Sequence, residues 1–179
     1  LYEESTLQVI TMPPRVILIG PMGSGKTTIG QLVAERLNIP FRDTDQVIEE
    51  NSGRTVSDIF LEDGEEAFRV LEKAVLRDEL LSDGTVLALG GGAPISIDAQ
   101  SALRAIASPV IYLDISLATV APRIGFNRDR PLLLHNPRGQ WQTLMEARRP
   151  IYESIADTVI DVNTKTEIDI VDEILEVIK

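Results

Sequence analysis

The chain contains no cysteine. That removes disulfide frameworks, thiolate zinc sites and cysteine nucleophiles together, and it fits a reducing, cytoplasmic compartment. Only one histidine is present, His135, so metal centres built from several histidines are excluded. A Ser-His-Asp triad would have to use that residue, which sits among Arg130, Pro131, Asn136, Pro137 and Gly139, a loop composition. No apolar run approaches the roughly 18 residues of a transmembrane helix, and no charged-then-apolar signal segment opens the sequence. Basic residues are outnumbered: 17 Lys+Arg against 28 Asp+Glu give a net charge of −11. A nucleic-acid binder needs a basic footprint, so neither nucleic acid nor a membrane is expected as a partner. Small anionic ligands stay open, because local fields govern them.

The 179 residues are enough for about one domain with one sizeable core. Residues 1–14, ending in Met12-Pro13-Pro14, are expected to be a poorly ordered extension, and residues 15–179 a single domain. Short apolar, β-branched runs mark strands at 16–19, 86–89, 109–113 and 158–162, and a further strand is reached through Ile39-Pro40 and ends at Asp43. Helical patterns fall between and after them, at 26–37, 45–51, from Thr55, 65–81, 98–107, 116–123, 140–155 and 167–178. The helix at 65–81 sets Phe68, Leu71, Val75 and Leu76 on one side. Residues 126–139 are polar and basic and read as a loop. Strands alternating with helices imply a parallel sheet covered on both faces.

Between the first strand and the first helix lies Gly20-Pro21-Met22-Gly23-Ser24-Gly25-Lys26-Thr27, a match to G-x-x-x-x-G-K-[ST]. Glycines let backbone N–H groups converge on phosphate oxygens, and the helix that starts here adds its positive end. Lys26 can reach the β- and γ-phosphates, and the Thr27 hydroxyl can ligate Mg²⁺. Guanine-specific Asn-Lys-x-Asp and the Asp-x-x-Gly of GTPases do not occur, which favours ATP. After the second strand comes Asp43-Thr44-Asp45. Carboxylates at i and i+2 of an extended segment point the same way. One can hold a metal-bound water beside Thr27 while the other orients an acceptor hydroxyl and takes its proton. The plainer alternative is that Asp45 only caps the helix that follows.

These strings together resemble the shikimate kinase family. The resemblance rests on Gly-Pro-Met-Gly-Ser-Gly-Lys-Thr-Thr-Ile-Gly at 20–30, Asp-Thr-Asp at 43–45, and Asp-Ile-Phe…Gly-Glu…Phe-Arg at 58–69. It continues through Gly-Gly-Gly at 90–92, Arg-Pro-Leu-Leu at 130–133 and Arg-Arg-Pro-Ile-Tyr at 148–152. It implies an α/β fold, a three-layer α/β/α P-loop kinase with a five-stranded parallel sheet in the order 2-3-1-4-5. It also implies transfer of the ATP γ-phosphoryl group, with Mg²⁺, to the 3-hydroxyl of shikimate on the route to chorismate and the aromatic amino acids. Gly23, Ser24, Gly25, Lys26, Thr27 and Thr28 are then the phosphate cradle, with Thr27 and Asp43 serving the metal. Asp45 contacts the reacting hydroxyl. Arg69 and Arg148 clamp the substrate carboxylate, as forked guanidinium groups suit, and Gly90, Gly91 and Gly92 allow its close approach. Arg123 lies against adenine, with Lys165 nearby. Arg130 belongs to a lid at about 125–139 and reaches the phosphates on closure, and a substrate-binding segment covers about 44–81. A monomer is the expected working form.

Two alternatives remain at this level. Another small-metabolite kinase on the same scaffold, such as a gluconate kinase or a nucleoside monophosphate kinase, would share the loop, and the acceptor pocket discriminates, since Arg69, Arg148 and the glycine triplet suit a carboxylate-bearing polyol. A non-catalytic nucleotide-binding module would have lost Lys26, Asp45 or the lid arginine, and all three are present. For Arg69, the plain reading is a surface ion pair with Glu65, Glu66 or Glu72.

Overall fold

Val16–Ile19 form strand β1, and all four side chains are completely buried. An apolar run without alternation calls for burial on both faces, as in the middle of a parallel sheet. The computed structural model describes residues 12–124 and 136–179. Around β1 lie β2 (Phe41–Asp43), β3 (Val86–Ala88), β4 (Val110–Asp114) and β5 (Thr158–Asp161), in the order β2-β3-β1-β4-β5. Every neighbouring pair is parallel, which is the expected sheet and strand order. Helices α1 (Lys26–Leu37), α2 (Thr44–Ser52), α3 (Val56–Asp63), α4 (Glu65–Glu79), α5 (Ile97–Ala105), α6 (Leu117–Ile124), α7 (Pro137–Ile155) and α8 (Glu167–Val177) lie between and after the strands. No described helix is long and apolar enough to cross a membrane.

The chain lays β2 and β3 to one side of β1, and β4 and β5 to the other. Such a reversal opens a crevice at the C-terminal ends of the strands, where open α/β sheets bind ligands. Leu18 and Asp43 are both in register with Ala88. The loop after β1, Asp43 and the Gly90-Gly91-Gly92 run therefore emerge side by side. Most of the core packs on this sheet, whereas Val47, Ile48, Ile59, Phe68 and Val75 form a small cluster of their own beneath α2, α3 and α4.

Three departures from the sequence expectations have physical causes. Leu71 is 37% exposed, and Glu72 is 4% exposed in its place on the inner face of α4. Positions 68, 72, 75 and 76 are the i, i+4, i+7, i+8 stripe of a helix, and Glu72 holds its place there because it has cationic partners inside. The segment 126–139 is not all loop, since α7 starts at Pro137. The Asn136 side chain accepts from the Gly139 N–H at 3.3 Å as N-cap, and Pro137 takes the first helical position, a pairing that opens helices. α7 then runs through Pro150 to Ile155. Finally, Pro14 is buried and its carbonyl accepts from Ser108 Oγ, so packing begins just before residue 15. The rest of the expected lid, including Arg128, Arg130 and His135, lies outside the described residues, as do residues 1–11.

Candidate active site

The loop after β1 turns into α1 at Gly25, whose φ of 94° is left-handed and suits glycine. No side chain caps this end of α1, and the start of a helix favours an anionic ligand. Ser24 is buried and its Oγ donates to the Pro21 carbonyl at 2.8 Å, pinning the loop from inside. Lys26 Nζ curls over the loop and donates to the carbonyls of Gly20 at 2.8 Å and Pro21 at 2.9 Å. Thr28, two positions further on, is exposed. Two outer contacts hold the tip: Arg123 of α6 donates to the Gly23 carbonyl at 2.8 Å, and Trp141 Nε1 of α7 donates to the Met22 carbonyl at 3.1 Å.

The loop lines a cavity of about 620 Å³ together with Asp43, Asp45, Gly90, Gly91, Arg123 and Lys165. Lys165 pairs with Glu173 at 2.7 Å. Asp43 works at two places at once. Its Oδ1 accepts from the N–H groups of Asp45 at 2.9 Å and Gln46 at 3.3 Å, while its Oδ2 accepts from Thr27 Oγ1 at 2.8 Å. The helix-capping role weighed above for Asp45 thus belongs to Asp43. Asp45 is left with its carboxylate in the cavity. Desolvation, then the charges of Asp43 and Glu72, push its pKa up to about 7, with Lys26 pulling the other way. A carboxyl poised there can hold or release a proton near neutrality. Between the two aspartates, buried Thr44 accepts the Gly90 N–H on its Oγ1 at 2.9 Å, which ties this turn to the end of β3.

The three glycines each make room for one charged side chain. A methyl group at Gly90 would meet Asp45 Oδ1 at 2.5 Å, one at Gly91 would meet Arg148 Nη1 at 3.4 Å, and one at Gly92 would meet Arg69 Nη1 at 2.3 Å. Arg69 pairs with Glu72 at 2.7 Å and with Glu65 at 3.3 Å, and its guanidinium lies 5.3 Å and 5.9 Å from the ring centres of Phe68 and Phe60. The surface pair weighed from sequence is therefore real, but the same guanidinium also reaches Gly92. Burial pushes the Glu72 carboxyl up in pKa, against the pull of Arg69 and Arg148. For Arg69, burial works against the charge, yet Glu72 and Glu65 leave its pKa raised. Arg148 is only 8% exposed, whereas its neighbour Arg149 turns to Asp114 at 2.7 Å. That divergence decides which of the two adjacent arginines faces the glycines.

Glu72, Thr44 and Tyr152 belong to this arrangement, although the sequence reading assigns none of them a role in the site. Glu72 is legible in the helical stripe once its charge is ignored. Tyr152 stands one helical turn after Arg148 and donates to the Gly91 carbonyl at 2.6 Å. No sequence signal marks Thr44.

A family model described as shikimate kinase matches residues 22–179. The chain belongs to the shikimate kinase family. A shikimate kinase of Streptomyces coelicolor is 46% identical over 153 residues, covering 86% of this chain and 88% of its own. One from Streptomyces avermitilis is 48% identical over 147 residues, covering 82% and 85%. Among solved structures, the shikimate kinase from Acinetobacter baumannii in complex with shikimate has a TM-score of 0.88 at 36% identity, covering 94% of this chain and 93% of its own. A gluconokinase from Sinorhizobium meliloti, 19% identical with a TM-score of 0.56, shares the fold alone. Family membership makes the chain an ATP-dependent phosphotransferase with an alcohol acceptor.

Proposed function

We propose that this site transfers the γ-phosphoryl group of ATP to the 3-hydroxyl of shikimate, giving shikimate 3-phosphate and ADP. The observation that carries the reading is the glycine run that seats Asp45, Arg148 and Arg69 in succession beside the phosphate-binding loop. A carboxylate-bearing polyol needs this combination of a cationic clamp and a group that accepts a hydroxyl proton. Arg69 and Arg148 hold the acid group in charge-assisted hydrogen bonds. Asp45 accepts from the reacting hydroxyl and takes its proton as that oxygen bonds to phosphorus and the bond to the ADP oxygen breaks. The transition state of phosphoryl transfer is loose, so positioning the hydroxyl is a large part of this work. Gly23, Ser24, Gly25, Lys26, Thr27 and Thr28 cradle the phosphates. On binding, Lys26 trades its loop carbonyls for phosphate oxygens. Arg123 and Lys165 serve the adenine end, and Arg130, in the lid, serves the phosphates by sequence match alone.

A divalent metal fits the chemistry present. Thr27 and Asp43 offer hard oxygen donors side by side, and among the described residues no three His, Cys, Asp or Glu side chains cluster into a metal cage. Such a partial donor set suits Mg²⁺, which keeps waters and takes its remaining ligands from nucleotide phosphates. When bound, it would neutralise charge on the β- and γ-oxygens. Residues 44–81, with their own small apolar cluster, serve as the acceptor-binding segment. All these groups come from one chain, which supports a monomer as the working unit.

The test is ADP release measured with ATP and Mg²⁺ against shikimate and gluconate. Turnover with shikimate, and a shikimate KM raised at least about 10-fold by Arg69→Ala, are expected. Turnover with gluconate but not shikimate would overturn the reading.

A further inference from the structure

Tyr152 is completely buried on α7, and its hydroxyl reaches the glycine run. It donates to the Gly91 carbonyl at 2.6 Å. Arg148 lies against the same glycine, since a methyl group there would meet its Nη1 at 3.4 Å. The spacing explains why both reach it. Arg148 and Tyr152 are four apart on one helix and share a face.

We propose that Tyr152 is a positioning residue for acceptor binding, fixing the Gly91 carbonyl so that the glycine floor keeps one geometry beneath the Arg148 and Arg69 guanidinium groups. The Gly91–Gly92 peptide is planar and trans, so fixing the Gly91 carbonyl fixes the opposite direction of the Gly92 N–H. Gly92 is also where Arg69 rests. One hydroxyl therefore sets the surface on which both arginines rest. Tyr152 touches no reacting atom in this scheme.

The fold supplies an internal control. Tyr112 is equally buried, and its ring centre is 5.2 Å from that of Tyr152. Its hydroxyl, however, donates to Asp114 at 2.8 Å, the partner of Arg149, on the outer side of the arginine pair. Removing either hydroxyl deletes one buried polar group, but only Tyr152 faces the glycines.

The inference rests on the reading of Arg148 as a carboxylate clamp, and the experiment separates the two. Shikimate KM, ATP KM, kcat and Tm are measured for Tyr152→Phe, Tyr112→Phe and Arg148→Ala. Tyr152→Phe is expected to raise the shikimate KM about 10-fold, the cost of leaving the Gly91 carbonyl without its donor, with the ATP KM and kcat within about 2-fold. Tyr112→Phe is expected to leave the shikimate KM in place. A normal shikimate KM in Tyr152→Phe, with Arg148→Ala impaired, would overturn the positioning role and leave the clamp standing. Parallel rises in both substrates' KM values, in both tyrosine variants, would also overturn it, showing general loosening. A normal shikimate KM in Arg148→Ala would overturn the clamp and this inference together.

Discussion

Replacing Asp45 by asparagine should stabilise the unliganded protein while disabling it, and the stabilisation should depend on pH. The Asp45 carboxyl moves from 3.8 to about 7 on folding, chiefly because the cavity desolvates it and then because Asp43 and Glu72 lie near. The folded state thus keeps a proton that the unfolded chain releases. This contribution to stability is complete below about pH 4 and is lost as pH rises through about 7. At about 1.4 kcal/mol per pH unit, the full shift amounts to ~4 kcal/mol. Water in the open cavity screens the charge, and about half, ~2 kcal/mol, is the working figure. For a chain of 179 residues that is ~4–8 °C in Tm. Asparagine keeps the volume without a charge, so it escapes the loss. Scanning calorimetry of both proteins from about pH 4 to pH 8 should show coincident Tm values at the acid end and a gap that opens towards neutrality. A gap that is constant with pH, or of opposite sign at pH 8, would refute the argument that ionised Asp45 strains the fold.

The same group sets the pH profile. In kcat/KM for shikimate the acid limb should fall as pH drops through about 7, where Asp45 takes up its proton, and a flat profile to pH 5 would contradict its role. Gly92→Ala places a methyl 2.3 Å from Arg69 Nη1 and should raise the shikimate KM at least ~10-fold with little effect on ATP. Steady-state titration of each substrate checks this. Lys26→Ala should lower kcat by ~10²-fold or more while the Tm changes little, because its loss removes a cation facing the transferred group; near-normal kcat would show that the loop amides suffice.

The sheet and the phosphate loop were legible because each rests on a local rule. Strand β1 is an unbroken apolar, β-branched run, and the loop is a string whose glycines and lysine have fixed jobs. Asp43 and Asp45 were legible as a pair, but not in their division of labour. That division depends on which carboxylate meets the N–H groups of α2, a matter of dihedral angles at the strand end. The buried Glu72 was hidden because hydropathy ranks leucine inward, and its burial depends on Arg69 and Arg148, the latter arriving from a distant helix. Motif position selects Arg148 over Arg149, and the physical reason is visible only once β4 supplies Asp114 as the partner of Arg149. Thr44 could not be seen at all, since a threonine between two aspartates signals nothing until Gly90 is placed against it.

Trp141 is the only tryptophan in the chain, 3% exposed, and its indole N–H ends on the Met22 carbonyl of the phosphate loop. The molecule therefore carries an intrinsic optical probe wired to its nucleotide cradle. Its emission should start blue-shifted, as a dry indole's does, and change intensity when ADP or ATP is titrated in, giving nucleotide affinity without a label. Shikimate alone, bound beyond the glycine run, should leave the signal nearly still, so one fluorimeter trace can tell which of the two ligands has arrived.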